Sequence, residues 1–540
     1  MLGVKAFGAV PSITSQPQSR THTCGVAATF NVTAAGDAPL TYQWRFNAVN
    51  LSGGTTASLT LNPVLPSQVG SYAVVVSNGS GSVTSVVAQF VLTSPALVYV
   101  DDNYAGLADG MLVNFPSGAG GATYTIGCDA FATIPAAIGN VASGGTINVA
   151  AGIYNSFITV NKPLNLRGPN AGIAGTGVRS TEAILYPAAN NVTFGNILDV
   201  ATNFVTVDGF ELNGDSPFLG GGNSIAGADA NTSCGIRNGP FVGNSTTDCA
   251  YDIKNLTVQN NVFRHFTYYG VYIGRKFGVT TTNSFLVVRQ NKFVNLYECG
   301  KFYATHPDFS DNWASNCLYL CFNWSVTGPA EPGFSPRIVN NRHFMSTDPS
   351  VWGAHSDAIS AGRSIWIYVR ESQAPPILVS NNVINFGAAG APSGKDPHGI
   401  TVDGLLDGRT VVVANNTVNG FGQYADCLGV LNVDATSTVM VRSNVLTGAS
   451  WNSSSAGLFL TGNAGQITCL SNTILSSYYG IFSAGKLTVR SCVIRSNSGG
   501  VEASGAAGRV LLESSDVTGN LGYGLGADGR SEERRVGKEC

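Results

Sequence analysis

The most regular feature of the chain is a short polar turn followed by two or three apolar residues, which recurs between about residues 380 and 494. The turn begins with asparagine or serine in every copy, and the copies lie at 381–384, 415–418, 443–446, 471–474 and 491–494. A second phrase, a glycine beside apolar residues, lies at 398–400, 428–430, 456–458, 479–481 and 499–501. Two short strands per repeat, at intervals of roughly 20 to 40 residues, predict a solenoid built from β-coils.

The recurring asparagine predicts a specific contact between coils. An amide side chain at a tight bend both donates and accepts hydrogen bonds, so the same residue in successive coils is expected to form a ladder. The valine and isoleucine residues beside it are expected to fill the interior. The apolar runs are short, β-branched and bounded by glycine, serine, asparagine and aspartate, which excludes a helical solenoid.

From about Leu97 onward this repeat resembles the right-handed parallel β-helix of the pectin-lyase-like superfamily, and we expect such a helix over 97–529. Residues 131–138 have the spacing of a short amphipathic helix and precede a strand at 144–149. That order resembles the N-terminal cap of many bacterial β-helices, so a cap is expected near 131–141 to cover the first coil. The superfamily includes lyases, hydrolases, epimerases and inert fibres, so the resemblance implies a fold and leaves the activity open.

The first part of the chain has a different pattern. Predicted strands with alternating apolar and polar residues lie at 28–32, 40–44, 58–61 and 70–76, and turn residues separate them. A core Trp44 followed by a Gly-x-Tyr phrase that ends at Tyr72 resembles an immunoglobulin-like sandwich. The chain is therefore predicted to be all-β, with an immunoglobulin-like β-sandwich over 11–93, a linker at 94–96 and then the right-handed parallel β-helix.

The chain departs from the immunoglobulin pattern at the positions of the two bridge cysteines. The two bridge cysteines of that family would fall at Val32 and Val74, so no inter-sheet disulfide is expected and two packed valines take its place. Cys24 lies before the second strand and cannot be the missing partner. This domain is expected to serve as a spacer or a weak binding module.

Both ends of the sequence need separate treatment. Residues 1–10 are too short for a secretion signal and are expected to be the remnant of a longer N-terminal region. The segment 530–540 is abruptly charged and resembles a translated sequencing-library adapter, so it is left out of the fold prediction.

Composition narrows the class of protein. Charged residues make up only 11% of the chain and there are 66 glycines, as in turn-rich β-proteins. A formal net charge of −3 argues against a nucleic-acid partner, and no apolar run approaches the roughly 18 residues of a membrane span. The cysteines form no CxxC pair, so no zinc or other metal site is predicted. Cys234 and Cys249 flank a polar insertion and are either a disulfide or, like most of the others, small buried apolar residues.

Candidate chemistry comes from the spacing of the repeats. The step from Asn341 to Asn382 equals the step from Asp357 to His398, so the latter two side chains are expected in one column of neighbouring coils. A second column is expected two residues earlier, with His355, Asp396 and Asp426. We therefore predict His355, Asp357, Asp396 and His398 as a catalytic patch.

This patch has several chemical interpretations. Carboxylates and imidazoles that lie close together have different proton affinities, so one acts as base and another as acid. In a uronate lyase or epimerase His398 would take the C5 proton, and in a hydrolase Asp357 and Asp396 would be acid and base or nucleophile. Cationic and acidic neighbours are the candidate substrate-binding residues: Lys395, Arg363, Arg409 and Asp426.

Local resemblances leave the reaction open. Asp-Pro-His at 396–398 is similar to a phrase of alginate epimerases, which continue with Glu where this chain has Gly399. Residues 365–368 are similar to the Trp-Ile-Asp-His phrase of pectate lyases, but Tyr368 and Val369 replace its last two residues. No cofactor is predicted, and a calcium site built from Asp396, Asp403 and Asp426 would lack any recognisable loop spacing.

The same residues also have a structural interpretation. Aspartate and histidine before a strand often satisfy turn amides, and stacking coils would align them whether or not they react. Tyr268, Tyr269, Tyr272 and Tyr319 are either a shelf for sugar rings or ordinary packing. The sequence thus predicts a secreted or cell-surface bacterial-type modular protein, monomeric, whose β-helix engages a polysaccharide or cell-surface glycan, uronate-type favoured. The alternative is a non-catalytic adhesive stalk.

Overall fold

A computed structural model of the chain describes residues 8–240, 248–276, 283–325, 336–346, 348, 351, 363–369, 376–386, 398–405, 408–420, 426–448, 455–462, 465–504 and 508–528. The chain divides into two compact units, residues 1–150 and 151–540. The first unit thus includes the segment 97–150 as well as the predicted sandwich.

The N-terminal unit begins with antiparallel strands that form a β-sandwich. These strands are β1 (Ser12–Ser15), β2 (Arg20–Thr23), β3 (Ala28–Asn31), β4 (Thr33–Ala35), β5 (Thr41–Phe46), β6 (Val49–Asn50), β7 (Ser58–Leu61), β8 (Gly70–Asn78), β9 (Gly81–Thr84) and β10 (Ala88–Thr93). One sheet has the order β2-β10-β8-β5-β6 with β9 paired to β8, and the strand pairs β3–β7 and β1–β4 complete the sandwich. Only β2 and β10 pair in parallel.

The sandwich core contains the residues that the sequence pattern selected. Trp44 and Tyr72 are buried together with Phe30 and Phe90, and the Tyr72 hydroxyl donates to the backbone oxygen of Gln68 at 2.8 Å. That bond is the tyrosine corner of immunoglobulin-like domains. Val32 and Val74, at the expected bridge positions, are also buried in this core, so apolar packing replaces an inter-sheet disulfide.

Residues 97–150 form a second group of elements in the same unit. They are β11 (Leu97–Val100), β12 (Leu112–Asn114), β13 (Thr123–Thr125), β14 (Ala130–Phe131), α1 (Ile134–Asn140) and β15 (Gly145–Val149). The helix begins where the Thr133 hydroxyl accepts the N–H of Ala136, and it buries Ile134, Ala137 and Ile138. Strand β11 pairs in parallel with both β14 and β15.

A disulfide joins Cys24, next to β2, to Cys128, next to β14. The two cysteines are separated by 104 residues in the chain, and their Cα atoms are 5.3 Å apart. The sequence excluded Cys24 from an inter-sheet bridge and did not identify this partner. The bond closes a loop that contains most of the sandwich.

The second unit is a right-handed parallel β-helix, so the predicted all-β fold class is confirmed. Each complete coil contributes a strand to each of three faces. Face A contains β18 (Leu164–Arg167), β21 (Val205–Asp208), β27 (Lys254–Gln259), β30 (Ser284–Arg289), β32 (Pro307–Ser310), β34 (Arg337–Val339), β37 (Ile377–Ser380), β40 (Thr410–Ala414), β43 (Thr438–Arg442), β46 (Gln466–Leu470), β49 (Lys486–Arg490) and β52 (Arg509–Glu513).

Faces B and C share one continuous set of parallel pairings. Face B contains β16 (Gly152–Asn155), β19 (Ala183–Tyr186), β22 (Glu211–Asn213), β35 (Arg342–Met345), β38 (Val383–Asn385), β41 (Thr417–Asn419), β44 (Val445–Thr447), β47 (Thr473–Leu475), β50 (Val493–Arg495) and β53 (Asp516–Thr518). Face C contains β17 (Ile158–Val160), β20 (Asn191–Val200), β25 (Thr232–Arg237), β36 (Arg363–Val369), β39 (His398–Asp403), β42 (Asp426–Leu431), β45 (Ala456–Thr461), β48 (Tyr479–Ser483), β51 (Gly499–Ser504) and β54 (Tyr523–Asp528).

Three long strands run through both of these faces in the middle of the helix. They are β28 (Val262–Ile273), β31 (Lys292–Tyr303) and β33 (Trp313–Ser325). Two short pairs lie outside the coils: the hairpin of β23 (Asn223–Ile225) with β24 (Ala228–Ala230), and β26 (Asp248–Cys249) with β29 (Arg275–Lys276).

The predicted asparagine ladder is present at the bend between faces A and B. The Asn261 amide oxygen accepts the backbone N–H of Phe210. From the next coil onward, each amide oxygen accepts both the backbone N–H and the side-chain N–H of the asparagine one coil earlier, with side-chain distances of 2.9 to 3.1 Å. The ladder residues are all buried: Asn261, Asn291, Asn312, Asn341, Asn382, Asn416, Asn444 and Asn472. The residue before each one has a φ of 53° to 60°, a left-handed conformation that explains the preference for short polar residues there.

Among the described residues, eight further cysteines are free, and all eight are buried. Cys234 and Cys249 lie in one cluster with Tyr272 and Tyr303, but they are not bonded to each other. The prediction of a disulfide between Cys234 and Cys249 is therefore wrong, and the alternative, that both are small buried apolar residues, is confirmed.

Candidate functional site

One outward-facing row of polar and aromatic side chains crosses face C in the middle of the β-helix. The strand register places Tyr269 beside Glu298 and Glu298 beside Tyr319. It also places Arg363 beside His398 and His398 beside Asp426. Because Cys321 pairs with Ile365, the two residues that precede them by two, Tyr319 and Arg363, are level as well. We call this set the outer row: Tyr269, Glu298, Tyr319, Arg363, His398 and Asp426.

Glu298 is the most unusual member of the outer row. Its side chain is almost fully buried, with 3% of the residue exposed, and its Oε1 has no hydrogen-bond partner among the described residues. Burial raises the pKa of this carboxyl from 4.5 to about 7, an effect that the positive charge of Lys301 partly offsets. A carboxyl of this kind exchanges its proton near neutral pH.

Tyrosine rings surround this carboxyl. The ring centroids of Tyr297 and Tyr319 are 5.3 Å apart, and the Lys301 ammonium lies 5.4 Å from the centroid of Tyr269. Burial raises the pKa of Tyr319 to about 12, so its hydroxyl keeps its proton. Of the four tyrosines in the predicted sugar shelf, Tyr272 is fully buried in a cluster with Cys249 and Tyr303 and is not accessible to a ligand, whereas the other three are partly exposed.

The hairpin of β23 and β24 packs next to these tyrosines. Ile225 and Ala230 of the hairpin form one apolar cluster with Leu318, and Tyr297 and Tyr319 pack against it. The hairpin thus packs against Tyr297 and Tyr319, which are the sequence neighbour and the register partner of Glu298.

His398 and Asp426 form the second half of the outer row. The imidazole Nδ1 lies 3.4 Å from Asp426 Oδ2, with side-chain exposures of 16% and 8%. Asp426 Oδ1 accepts the N–H of Ala456 at 2.6 Å, which fixes the carboxylate. The pair can therefore orient an imidazole toward a ligand on face C.

The register corrects the predicted columns. Asp426 is level with His398 and not with Asp396, because the strands align their inward apolar residues, Ile400 with Leu428. The alignment by sequence had placed Asp426 level with Asp396, which is two positions away from its register partner His398. The outer row thus combines members of both predicted columns.

The remaining predicted site residues are distributed as follows. Arg363 has its guanidinium carbon 3.9 Å from the ring centroid of Trp366, an arrangement that holds the cation over face C. Arg409 is buried just before β40, on face A, and does not join the row. The other four lie outside the described residues: His355, Asp357, Lys395 and Asp396.

Sequence reasoning did not identify Glu298. A signal was nonetheless present, since Glu298 is the one acidic residue in a strand, β31, that is otherwise rich in apolar and aromatic residues. Its neighbours Tyr269 and Tyr319 were singled out, but the register that brings them together with Glu298 was not readable.

Three further findings concern metal ligands and membrane-spanning segments. Within the described ranges, no group of three or more His, Cys, Asp or Glu side chains has the arrangement of a metal site. Of the suggested calcium ligands, Asp403 Oδ1 accepts the side-chain N–H of Asn432 at 2.9 Å. None of the helices in the described part of the chain is long and apolar enough to cross a bilayer.

Comparison with known proteins concerns the N-terminal unit. The family model described as "Immunoglobulin domain" matches residues 10–78. Similar solved structures include titin M4, 20% identical and covering 16% of this chain and 100% of that one, with a TM-score of 0.15. A chimeric titin Z1Z2 protein is 27% identical over 16% of this chain and 96% of its own, with a TM-score of 0.14.

Extracellular domains 3–5 of Drosophila OTK are 20% identical over 16% of this chain and 33% of theirs, with a TM-score of 0.15. No curated protein matches the sequence. The family match and the buried core around Trp44 and Tyr72 together show that the chain carries an N-terminal immunoglobulin-like domain.

Proposed function

We propose that the β-helix binds a polysaccharide along face C, with the partly exposed members of the outer row as the contact surface: Tyr269, Tyr319, Arg363 and His398. The observation that carries this proposal is the alignment of six aromatic or ionisable side chains at one register position of six successive coils. Coils repeat about every 4.8 Å, so the row is about 24 Å long. That length suits a linear polymer better than a small molecule.

The chemistry of the row fits a sugar chain. Tyrosine rings offer apolar faces and a polar hydroxyl to a ligand that has both kinds of surface. Arg363, beside Tyr319, supplies a planar group of donors that matches a carboxylate, so a uronate-containing polymer is favoured over a neutral one. The order of the row places the aromatic groups at one end and the ion pair of His398 with Asp426 at the other.

A reaction on the bound polymer forms the second part of the proposal. Glu298 can give or take a proton near neutral pH, and His398 is held by Asp426 at the other end of the row. Lyases, epimerases and hydrolases all need such proton transfer, so the pair supports the pectin-lyase-like resemblance without selecting one reaction.

A non-catalytic stalk is the second candidate function. The buried asparagine ladder continues through eight coils and stiffens the solenoid whether or not face C binds anything. In that case the outer row would be a product of stacking alone.

An extracellular or cell-surface location accompanies both candidates. The Cys24–Cys128 disulfide supports it, since such bonds persist mainly in oxidising compartments.

The test is binding and turnover of a panel of uronate and neutral polysaccharides, with unsaturated products, new reducing ends and C5 proton exchange followed separately. Arg363→Ala is expected to weaken binding of the preferred polymer at least about ten-fold, the effect of one lost charged hydrogen bond. Arg442→Ala, an exposed arginine on face A, is the matched control and is expected to bind like the original chain. If no polymer binds, or if both variants lose binding equally, the stalk is the better explanation.

A further inference from the structure

The asparagine ladder ends in a pair of thiols. Asn472 is the last asparagine, and the register of Thr473 with Val493 places Cys492 at the ladder position of the next coil. The backbone N–H of Asn472 points at Cys492 Sγ, 3.4 Å away, where every earlier coil offers an amide oxygen. The sulfur of Cys469 lies 3.5 Å from the sulfur of Cys492.

The groups around this pair give the two sulfurs different roles. Either thiol can donate to the other across this contact, and the side-chain N–H of Asn472 lies 3.0 Å from Cys469 Sγ and 3.8 Å from Cys492 Sγ. The thiol of Cys469, with the Asn472 amides, lowers the pKa of Cys492 to about 7 despite its burial. Burial and the same contact raise the pKa of Cys469 well above its usual range. Cys492 is therefore the nucleophile, and Cys469 is the thiol beside it.

We propose that Cys469 and Cys492 are a redox-active pair that closes to a disulfide between neighbouring coils of the β-helix. The sulfurs must approach from 3.5 Å to the bonding distance of about 2.05 Å. Both side chains are within 1% of full burial, so the bond forms either as the coils assemble or during a local opening of the coils that carry them.

The oxidant is a small-molecule disulfide such as glutathione disulfide. The Cys492 thiolate attacks one of its sulfurs, which forms a mixed disulfide and releases one glutathione thiolate. The Cys469 thiol then gives its proton to that thiolate and attacks Cys492 Sγ, and the second glutathione leaves as a thiolate that takes a proton from water. Two protein thiols are oxidised and one glutathione disulfide is reduced to two glutathiones.

A second pair of neighbouring thiols in the chain provides a comparison for this one. Cys234 and Cys249 are equally buried and share one cluster. The thiol of Cys234 donates to the backbone oxygen of Ile236, and burial raises the pKa of Cys249 to about 12. Each sulfur accepts a backbone N–H, Cys234 from Tyr272 and Cys249 from Gly274, but burial outweighs these contacts and keeps both thiols protonated, so this pair is expected to stay reduced in the folded chain.

The test uses the full chain, treated with glutathione disulfide when folded and, separately, refolded in a glutathione redox buffer. Remaining thiols are alkylated in denaturant, and the chain is digested with trypsin without reduction. Cleavage after Arg442, Lys486, Arg490 and Arg495 separates the two cysteines into peptides 443–486 and 491–495. Mass spectrometry is expected to find these two peptides joined in most of the molecules. The joined species should have a mass two hydrogens below the sum of the two peptide masses.

Two variants keep the result interpretable. Cys492→Ser should abolish the joined peptide. Cys492→Asn should do the same while it continues the ladder, so a loss of the link there is not a loss of fold.

Three outcomes would overturn the proposal: both cysteines alkylated in both samples while the Cys24–Cys128 link is intact, glutathione on Cys492 without a link to Cys469, or equal linking of Cys234 to Cys249 in the folded chain. In the refolded sample the cysteines are accessible before folding, so burial cannot account for a negative result.

Discussion

Glu298 and Tyr319 occupy the same register position in neighbouring coils, and the buried carboxyl of Glu298 has one oxygen without a hydrogen-bond partner among the described residues. Burial raises the pKa of Glu298 from 4.5 to about 7. The folded chain therefore holds this proton more tightly than the unfolded chain does. The contribution of Glu298 to stability is therefore fully present below about pH 4.5, falls as the pH rises to about 7, and is constant above about pH 7.

The first prediction concerns Glu298→Gln, which removes this charge without changing the shape of the side chain. Above pH 7 the variant should be more stable than the original chain by up to about 3 kcal/mol, the value of the shift in pKa. The advantage should vanish toward pH 4.5. Urea unfolding at a series of pH values measures the difference between the two chains, and parallel curves would show that Glu298 is not buried as a carboxyl.

The ladder shows how far sequence reasoning reached. Asn382, Asn416, Asn444 and Asn472 were recognisable because the strand phrase after each one is similar. The ladder also contains Asn261, which lies well before the stretch of 380–494 in which the repeat was recognised, although the phrase after it is similar. The steps between ladder residues vary from 21 to 41 residues while the register is kept, so the contact was predictable in kind and not over its full length.

The site was predictable only in part, for a physical reason. Arg363, His398 and Asp426 could be selected because they begin strands of face C. The hairpin that packs against Tyr297 and Tyr319 comes from residues far away in sequence, and no local pattern encodes that packing. The residue types could be read from the sequence, whereas the strand register and the burial of Glu298 depend on the tertiary structure.

The second prediction concerns Asn382→Leu in the middle of the ladder. The Asn382 amide accepts the backbone and side-chain N–H of Asn341 and donates to Asn416 Oδ1 and to the backbone oxygen of Ile338. Its loss leaves several buried groups unpaired, each at a cost of about 1 to 3 kcal/mol. The free energy of unfolding of the β-helix should fall by about 3 kcal/mol or more.

Denaturant unfolding of the folded chain measures this change. Asn419→Ala is the control, because Asn419 lies on face B and donates a side-chain hydrogen bond to Asn385 Oδ1 from a half-buried position. Its effect should stay below about 1 kcal/mol. Equal effects of the two substitutions would mean that the ladder contributes no more than an ordinary surface contact.

The third prediction concerns His343, which is fully buried. Its Nε2 donates to the backbone oxygen of Cys317 at 3.0 Å, so its Nδ1 must accept from the Ser364 hydroxyl at 2.7 Å. Burial lowers the pKa of His343 from 6.5 to about 4. Stability is therefore complete above about pH 6.5 and is lost as the pH falls toward 4, by up to about 3 kcal/mol, because the unfolded chain takes up the proton first.

Proton NMR of the imidazole checks this directly, since the His343 signal should not titrate above about pH 5. His22, which lies on a partly exposed strand of the sandwich, provides the internal comparison. Titration of His343 near 6.5 would show that its ring reaches water. The sign is opposite to that for Glu298, so the two groups bound the pH range of stability from the two sides.

The last prediction concerns the Cys24–Cys128 disulfide of the N-terminal unit. The bond closes a loop of 104 residues, and loss of a crosslink of that length costs about 4 to 5 kcal/mol through the greater freedom of the unfolded chain. Cys128→Ser should therefore lower the stability of residues 1–150 by about that amount. Hydrogen exchange followed by mass spectrometry should show faster exchange in peptides of this unit, and unchanged exchange in coils such as β43 to β46.

Cys427→Ser is the matched control, since it removes one buried sulfur from the β-helix and no crosslink. It should leave exchange in residues 1–150 unaltered. Reduction of the original chain should reproduce the Cys128→Ser pattern, because both break the same bond. If Cys128→Ser and the control exchange alike in this unit, the loop is already restrained by packing, and the disulfide adds no stability of its own.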